Sequence, residues 1–232
     1  MEPARGAIFD LDGTLVDNMV VHAEAFTIFV GRHGLQPLTL ADRARLDGKR
    51  NRDIFPDLFG RALDEDFLQA CIHEKESLYR ELSGGRLQPV PGLLRLLDAL
   101  DAEQIPAAIA TSAPAENVAH TLRELRLADR LTEVVRSDRV ARGKPHPDVF
   151  LAAAELIGVA PAHCLAFEDA PAGILAARAA GMTCVALTTG FSADALTAVG
   201  AEPDLAVSDY DEFLSVARAK GLFGSPSPGR AG

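Results

Sequence analysis

The sequence predicts an α/β protein: a doubly wound, Rossmann-like parallel sheet with an α-helical segment inserted after its first strand. Three observations lead to this prediction. Short, continuous apolar runs recur along the chain, helical patterns separate the later runs, and residues 18–88 contain helical patterns alone. Continuous apolar runs are typical of strands covered on both faces, as in parallel sheets. Their alternation with helices is typical of the doubly wound architecture.

Five apolar runs have the length and composition of buried strands. They are residues 7–11, 107–111, 164–168, 184–188 and 204–207, with a weaker sixth candidate at 131–135. The helical patterns between the later runs cover residues 93–103, 148–157 and 172–180. Gly158 and Gly181 follow two of these patterns directly, as glycines often do where a helix ends.

The first strand is separated from the second by helical patterns at residues 21–32, 53–59 and 64–82. Gly84-Gly85 and the prolines at 89 and 91 mark the return to the sheet. We therefore predict three parts: residues 1–17 plus 89–220 form the α/β core, residues 18–88 form an inserted helical domain, and residues 221–232 form a disordered tail rich in Gly, Ser and Pro.

The charge balance narrows the range of partners. The chain has 23 Lys+Arg and 33 Asp+Glu, a formal net charge of −10, so it lacks the basic face that nucleic acids and anionic membranes require. No run approaches the ~18 apolar residues of a membrane span. Three widely spaced cysteines and the absence of a signal-peptide pattern favour a reduced, cytoplasmic setting.

Polar residues cluster where the predicted strands end. Asp10 and Asp12 lie two residues apart after the first strand, and Gly13 permits a tight turn behind them. Ligands bind beyond the carboxyl ends of the strands in such sheets, so the polar residues near later strand ends are expected at the same crevice. These residues are Thr111, Ser112, Lys144, Glu168 and Asp169.

Four carboxylates in one crevice predict a cation. Two like charges ~4 Å apart repel by about 4 kcal/mol even at an effective dielectric constant near 20. Oxygen ligands select a hard ion, and Mg²⁺ is the common choice where a phosphate completes its coordination shell. Lys144 adds a compact positive charge suited to a phosphate or to a nucleophilic carboxylate.

Taken in order, these motifs resemble those of the haloacid dehalogenase superfamily of aspartate-dependent phosphohydrolases. Residues 9–17 (FDLDGTLVD), 143–150 (GKPHPDVF) and 167–182 (FEDAPAGILAARAAGM) are similar to its β-phosphoglucomutase-like group of sugar-phosphate phosphatases and mutases. The resemblance extends over residues 5–218, and the helical insertion resembles the helical-bundle cap of that superfamily.

The resemblance implies a role for each motif residue. Asp10 is the expected nucleophile, forming an aspartyl-phosphate, and Asp12 the expected acid that protonates the leaving alcohol and then activates water. We expect the neighbouring Asp10 and Glu168 to keep a proton on Asp12. Thr111 and Lys144 are expected to hold the phosphoryl oxygens, and Thr14 to orient the loop by hydrogen bonding.

The metal and substrate contacts are likewise implied by the resemblance. The expected Mg²⁺ ligands are the Asp10 carboxylate, the Asp12 main-chain carbonyl, Asp169 and, directly or through water, Glu168. The expected substrate-binding residues are His22, Arg52, Lys75 and Ser112, where Arg52 matches the arginine that binds the second phosphate in mutases. Each of the three cap residues can alternatively be a solvated or structural side chain.

One departure favours hydrolysis. Mutases of this group carry a Ser-Lys-Asn-like run after the second motif, where this chain has Ala113-Pro114-Ala115 without a side-chain donor. We therefore expect a Mg²⁺-dependent phosphatase, monomeric, acting on a small phosphorylated metabolite such as a sugar phosphate. A sugar-phosphate mutase is the alternative, and a non-catalytic binding module on the same fold is a lesser one.

Overall fold

Six parallel strands form one sheet in the computed structural model, which describes residues 4–220. The strands are β1 (Gly6–Phe9), β2 (Ala107–Thr111), β3 (Val134–Arg136), β4 (Cys164–Glu168), β5 (Thr183–Leu187) and β6 (Leu205–Val207). Their order in the sheet is β3-β2-β1-β4-β5-β6. Since β1 lies between β2 and β4, the chain reverses direction of winding there, which confirms the predicted doubly wound α/β fold.

Helices cover both faces of this sheet. Four helices of the insertion, described below, precede them in the chain, so their labels begin at α5. They are α5 (Leu93–Ala102), α6 (Ala115–Glu124), α7 (Asp148–Leu156), α8 (Pro171–Ala179), α9 (Ala193–Ala198) and α10 (Tyr210–Lys220). Side chains alternate along each strand. Phe9 and Phe167 therefore join one apolar cluster with α5 and α10, and Ile8 and Ala166 join another with α7 and α8. This two-sided burial explains the continuous apolar runs.

Four helices lie between β1 and β2: α1 (Met19–Arg32), α2 (Leu40–Leu46), α3 (Asn51–Phe59) and α4 (Glu65–Ser83). Helices α1, α3 and α4 share an apolar cluster of their own, built around Phe29, Phe55 and Tyr79. The segment that leaves the sheet and the segment that returns to it lie side by side, because the Asp17 amide donates to the Gln88 carbonyl at 3.1 Å.

Some elements differ from those predicted. Helix α2 was not predicted because its seven residues bury a single side chain, Leu46; its first turn is held by Thr39 and Asp42, each of which caps the other's main chain. Helix α6 escaped detection because polar residues, among them Asn117 and His120, face the interior. Strand β3 begins at Val134, three residues later than expected.

Two further expectations concern the ends of the chain and membranes. The tail at 221–232 lies outside the described residues. Within residues 4–220, no helix combines the length and apolar character that crossing a membrane requires.

Candidate active site

The sheet brings the predicted acids together at the carboxyl ends of its central strands. In the register, Phe9 of β1 lies beside Phe167 of β4, so Asp10 is the neighbour of Glu168 and Asp169. Thr111 ends β2 on the other side of β1. Asp10, Glu168 and Asp169 each offer a carboxylate oxygen, and these three oxygens lie within 4.8 Å of one another.

Lys144 ties two of these acids together. Its Nζ lies 2.5 Å from Oδ1 of Asp10 and 2.5 Å from Oε1 of Glu168, and the side chain is fully buried. Burial alone would lower the pKa of Lys144, but the carboxylates of Asp10 and Glu168 outweigh it and raise that pKa above its ordinary value. The side chain is therefore a fixed ammonium ion at neutral pH.

Glu168 has both oxygens occupied. While Oε1 accepts from Lys144, Oε2 accepts the main-chain N–H groups of Asp169 and Ala170 at 2.9 and 3.0 Å. Gly173 in α8 makes room for this carboxylate, because a Cβ at that position would lie 1.6 Å from Oε1. Glu168 therefore fixes Lys144 and the turn after β4.

Asp169 is the acid that lacks a partner. Its Oδ2 is buried and accepts no hydrogen bond within the described part of the chain. Burial raises the pKa of Asp169 well above its usual range, with Glu168 and Asp10 adding to the effect. Burial also raises the pKa of Asp10, although Lys144 opposes the shift.

One ammonium ion cannot balance three buried carboxylates, and the remaining negative charge fits a divalent cation. The oxygen-only donor set suits a hard ion. Gly13, which has φ 75°, leaves room for the Asp169 carboxylate, because a Cβ there would lie 2.1 Å from Oδ2 of Asp169. Asp10 and Asp169 are the side chains best placed to hold such an ion.

Asp12 points elsewhere. Its Oδ1 accepts from Nδ2 of Asn18 at 2.7 Å and lies 3.4 Å from Nε2 of His22. Burial would raise the pKa of Asp12, but His22 and the hydrogen bond from Asn18 lower it below its ordinary value. The expectation that Asp10 and Glu168 keep a proton on Asp12 is therefore wrong, because His22 and Asn18 stabilise the carboxylate.

The loop that carries these aspartates is not held as expected. The Thr14 hydroxyl is buried without a hydrogen-bond partner among residues 4–220. Instead, the Thr14 carbonyl accepts from the Tyr210 hydroxyl at 3.1 Å, and the Gly13 carbonyl accepts from Thr189 Oγ1 at 2.5 Å. Asn18 Oδ1 also accepts the Gly13 amide at 3.0 Å. Main-chain carbonyls and the Gly13 amide, not the Thr14 side chain, fix the loop.

A second buried polar network begins at His22, which stacks on Tyr79 with ring centroids 4.0 Å apart. Its Nδ1 lies 3.0 Å from Nζ of Lys75, and Lys75 donates to Glu76 at 2.9 Å. Glu76 also accepts from Asn51 at 2.7 Å and from Asn117 of α6 at 2.6 Å. This network joins the helices of the insertion to the sheet side of the molecule.

The loop between α2 and α3 rests on the core. Ser112 Oγ donates to the Gly48 carbonyl at 2.7 Å, so its hydroxyl serves the contact between the two parts. The Arg50 side chain packs against Gly143, where a Cβ would lie 2.6 Å from the arginine Nε. Gly48 and Ser112 also line a cavity that contains Asp10, Asp12 and Thr111.

The predicted site residues are therefore partly assembled. His22, Lys75, Thr111 and Ser112 line this cavity. Arg52 does not: its guanidinium pairs with Glu65 at 3.0 Å on the surface. Consecutive side chains on a helix point about 100° apart. Asn51, the residue before Arg52, therefore points in a different direction and lines the cavity.

Sequence reasoning missed several polar residues at the site. They are Asn18, Lys49, Asn51, Glu76 and Asn117. Lys49 and Asn51 lie in residues 48–53, which resemble the substrate-specificity loop of the cap, but Arg52 was the residue chosen there. Glu76 and Asn117 stand in helical patterns without a motif, so the sequence carried no signal that distinguished them from solvated side chains.

Comparisons with known proteins agree with this geometry. Residues 7–187 match the family model described as haloacid dehalogenase-like hydrolase. The chain is 34% identical over 216 residues to validoxylamine A 7'-phosphate phosphatase of Streptomyces hygroscopicus subsp. limoneus, covering 89% of this chain and 94% of that protein. It is 34% identical over 185 residues to hexitol phosphatase A of Escherichia coli, covering 79% and 82%.

The chain is also similar to a mutase and to a hydrolase of known structure. The chain is 34% identical over 194 residues to β-phosphoglucomutase of Bacillus subtilis, covering 80% of this chain and 84% of that protein. The crystal structure of a hydrolase from Pseudomonas syringae superposes with a TM-score of 0.83 at 28% identity, covering 95% of this chain and all of that one.

Gly173→Ala tests the space reserved for Glu168. We expect the free energy of unfolding in urea to fall by about 1–3 kcal/mol, because the new methyl group displaces a carboxylate held by three hydrogen bonds. Gly31→Ala is the matched control, since Gly31 is also helical and a Cβ there meets nothing within 4 Å. Equal stability of the two variants would contradict the prediction.

Glu76→Gln tests the buried network between insertion and core. The amide loses the charge that Lys75 faces and turns donors toward Asn51 or Asn117, so we expect the free energy of unfolding to fall by about 3 kcal/mol. Glu81→Gln on the exposed face of the same helix should change it by less than about 0.5 kcal/mol. Thermal and urea unfolding measure the stability of both variants. Similar losses of stability in the two would contradict the role of Glu76 in joining the insertion to the core.

Proposed function

The chain belongs to the haloacid dehalogenase-like hydrolases, and we propose that it is a Mg²⁺-dependent phosphatase that hydrolyses monoesters of small hydroxylated metabolites, sugar phosphates above all. The observation that supports this most is the arrangement of Asp10, Lys144, Glu168 and Asp169 around one point at the strand ends. Several relatives are named as phosphatases of phosphorylated carbohydrates or polyols, including fructose-1-phosphate phosphatase of Escherichia coli, to which the chain is 34% identical over 189 residues.

Asp10 is the proposed nucleophile. Lys144 holds its Oδ1, which leaves Oδ2 to attack phosphorus. The Asp10–phosphorus bond forms as the bond from phosphorus to the leaving oxygen breaks, giving an aspartyl-phosphate. Water then attacks the same phosphorus, releases inorganic phosphate and regenerates the Asp10 carboxylate.

Asp12 and His22 are proposed to handle the proton. Their side chains lie 3.4 Å apart at the cavity, and Asp12 is proposed to take up one proton and to deliver it to the leaving oxygen. Asp12 is then a carboxylate and can accept a proton from the water that attacks the intermediate. Because Asn18 holds Asp12 in place, the carboxylate does not have to reorganise between these two steps.

Mg²⁺ is proposed at the position where the negative charge is unbalanced. The Asp10 and Asp169 carboxylates and the Asp12 main-chain carbonyl would hold it, whereas Glu168 contributes by fixing Lys144, since both of its oxygens already accept hydrogen bonds. When bound, the ion neutralises charge on the phosphoryl oxygens. Thr111 and Lys144 are proposed to receive those oxygens from the protein side.

The region around the leaving group supports hydrolysis over mutase activity. A mutase must bind a second phosphate, but Ala113 and Pro114 offer no side-chain donor there, and neutral Asn51 occupies the wall of the cavity where Arg52 was expected. The similarity to β-phosphoglucomutase keeps the mutase as a second candidate. We propose that residues 18–88 act as the cap that closes over the substrate and excludes water.

Mg²⁺ should stabilise the folded protein. At 100 times its dissociation constant, an ion that binds only the native state raises the free energy of unfolding by about 2.7 kcal/mol. We expect this gain in the wild type and its loss in Asp169→Asn, whose metal-free form should be at least as stable as the wild type because an unpaired buried acid is gone. Thermal unfolding with and without Mg²⁺ measures both.

Asp194→Asn, at an exposed acid, serves as control and should keep the full gain. The gain should also grow from about pH 6 to about pH 8.5, because the pKa values of Asp10 and Asp169 are raised and binding must release their protons. An undiminished Mg²⁺ effect in Asp169→Asn would remove Asp169 from the metal site.

Phosphate release tests the reaction itself. The wild type with Mg²⁺ should hydrolyse p-nitrophenyl phosphate and members of a sugar-phosphate panel. Asp10→Asn should lower kcat by more than about 10³-fold without unfolding the protein. Substantial residual activity would contradict the nucleophilic role of Asp10.

The same panel distinguishes the two candidate reactions. A phosphatase releases phosphate from β-glucose 1-phosphate without forming glucose 6-phosphate. Formation of glucose 6-phosphate, stimulated by a trace of the bisphosphate, would instead establish the mutase.

A further inference from the structure

One acid that lines the cavity over Asp10 has no part in the proposed reaction. Within the described residues the lining contains five acids, and four of them are already accounted for: Asp10, Asp12 and Asp169 by the reaction and the metal site, and Glu76 by the buried network. The fifth is Asp47, which follows the last residue of α2. Its side chain is only 10% exposed, so this buried carboxylate needs an explanation.

Asp47 is held from behind by Arg43, one helical turn earlier. The Nε and Nη2 atoms of Arg43 both donate to the same oxygen, Oδ2 of Asp47, at 3.1 and 2.7 Å. The Arg43 guanidinium lies 5.9 Å from the centroid of the Phe191 ring, and it stands outside the lining of the cavity that the structure describes. Arg43 therefore fixes the direction of the carboxylate without occupying the space in front of it.

The other oxygen of Asp47 faces the cavity. No group between residues 4 and 220 donates a hydrogen bond to Oδ1, since both bonds from Arg43 end on Oδ2. Nor is Oδ1 one of the fully enclosed atoms without a partner in this range, as Oδ2 of Asp169 is, so open space lies in front of it. Since Asp47 lines the cavity that contains Asp10 and Thr111, this space is the cavity itself.

The leaving group lies on the side of the cavity that the insertion provides. The attacking and leaving oxygens are roughly in line during phosphoryl transfer, so attack by Asp10 from the strand ends directs the leaving alcohol away from the sheet. His22 and Asp47 reach the cavity from the insertion. The Asp47 carboxylate therefore meets the alcohol, whereas it would repel the phosphoryl oxygens.

A hydroxyl group matches Asp47 better than an ammonium group does. Arg43 already places one positive charge on this carboxylate. Lys49 lines the same cavity and has no acid partner among residues 4–220, so it would repel a further cation. A hydroxyl group both donates and accepts, and it can therefore use a carboxylate and a neighbouring ammonium ion together.

We infer that Asp47 determines substrate specificity by accepting a hydrogen bond from one hydroxyl group of the leaving alcohol. This inference rests on the proposed phosphatase function and assigns the recognition of the polyol to a named residue of the insertion. Because Arg43 holds Asp47 before the substrate arrives, the bond forms without reordering of the side chain. An ester whose alcohol has no hydroxyl group cannot form it.

The test removes the hydrogen bond from the substrate side first, in the full-length protein with Mg²⁺. The substrates are the best ester of the sugar-phosphate panel and its monodeoxy analogues; for glucose 6-phosphate these are the 2-, 3- and 4-deoxy sugars and 1,5-anhydroglucitol 6-phosphate. In the wild type, one analogue should have a kcat/KM at least tenfold below that of the parent ester, because a hydrogen bond to a charged group is lost.

Asp47→Asn removes the same bond from the enzyme side. The asparagine oxygen satisfies Arg43 and its Nδ2 replaces the acceptor at the cavity, so kcat/KM for the parent ester should also fall at least tenfold. The two losses should not add, because they delete one interaction. Asp47→Asn should therefore hydrolyse the parent ester and the discriminating analogue with kcat/KM values within threefold of each other. Asp47→Ala makes the same comparison if the amide variant does not fold.

Asp53→Asn is the matched control. Asp53 also pairs with an arginine of its own segment, at 2.7 Å, but it is not part of the cavity lining that the structure describes. This variant should retain the discrimination of the wild type, and thermal unfolding checks that each variant folds.

Three results would overturn the inference and leave the phosphatase intact. The first is a wild type that hydrolyses the parent ester and every monodeoxy analogue equally well, a result that requires no variant. The second is fully additive losses, and the third is an equal loss of kcat/KM on p-nitrophenyl phosphate, whose alcohol carries no further hydroxyl group. Failure to hydrolyse any ester in the panel would overturn the proposed function itself.

Discussion

The rest of the site depends on the ammonium ion of Lys144 between Asp10 and Glu168. In a dry interior, two carboxylates at this distance repel strongly, and an unpaired one is costly. A single fixed cation offsets part of this repulsion and sets the orientation of Asp10. Glu168 in turn is held by two main-chain amides and by the space at Gly173. The position of Asp10 is therefore fixed by buried groups, of which Glu168 has both oxygens engaged within the protein.

Above this layer lies a network of a different kind. His22, Lys75, Glu76 and Asn117 form a continuous chain of contacts from the insertion to α6. Each charge in it faces an opposite charge or a hydrogen-bond donor, so the network can be buried at small cost. It links the position of Asp12, through His22, to the closeness of the two parts of the molecule. The contact between the two parts and the placement of Asp12 and His22 therefore depend on the same network.

Much of this was predictable because it is encoded locally. Buried parallel strands reveal themselves as apolar runs, and Asp10, Lys144 and Asp169 stand in motifs at their ends. What was not predictable depends on contacts between distant segments. The pKa of Asp12 is lowered by His22 and Asn18, which are distant in the predicted pattern from the strand ends, and the choice between Asn51 and Arg52 is decided by the rotation of α3 on its neighbours. Short helix α2 has no apolar periodicity, so its stability depends on its capping residues and on its packing against α8.

The paired crossing at Asp17 and Gln88 has a consequence for how such a protein diversifies. The two ends of the insertion are joined by a hydrogen bond. The sheet therefore carries the whole insertion as it would carry a long loop whose ends are adjacent. Doubling the length of such a loop costs only about 0.6 kcal/mol of closure entropy. Changes of length within it leave the strand register and the ion pairs of Lys144 with Asp10 and Glu168 unchanged. An ancestral gene can therefore acquire new selectivity by editing one contiguous stretch of codons, while the carboxylates and the lysine at the strand ends are inherited intact.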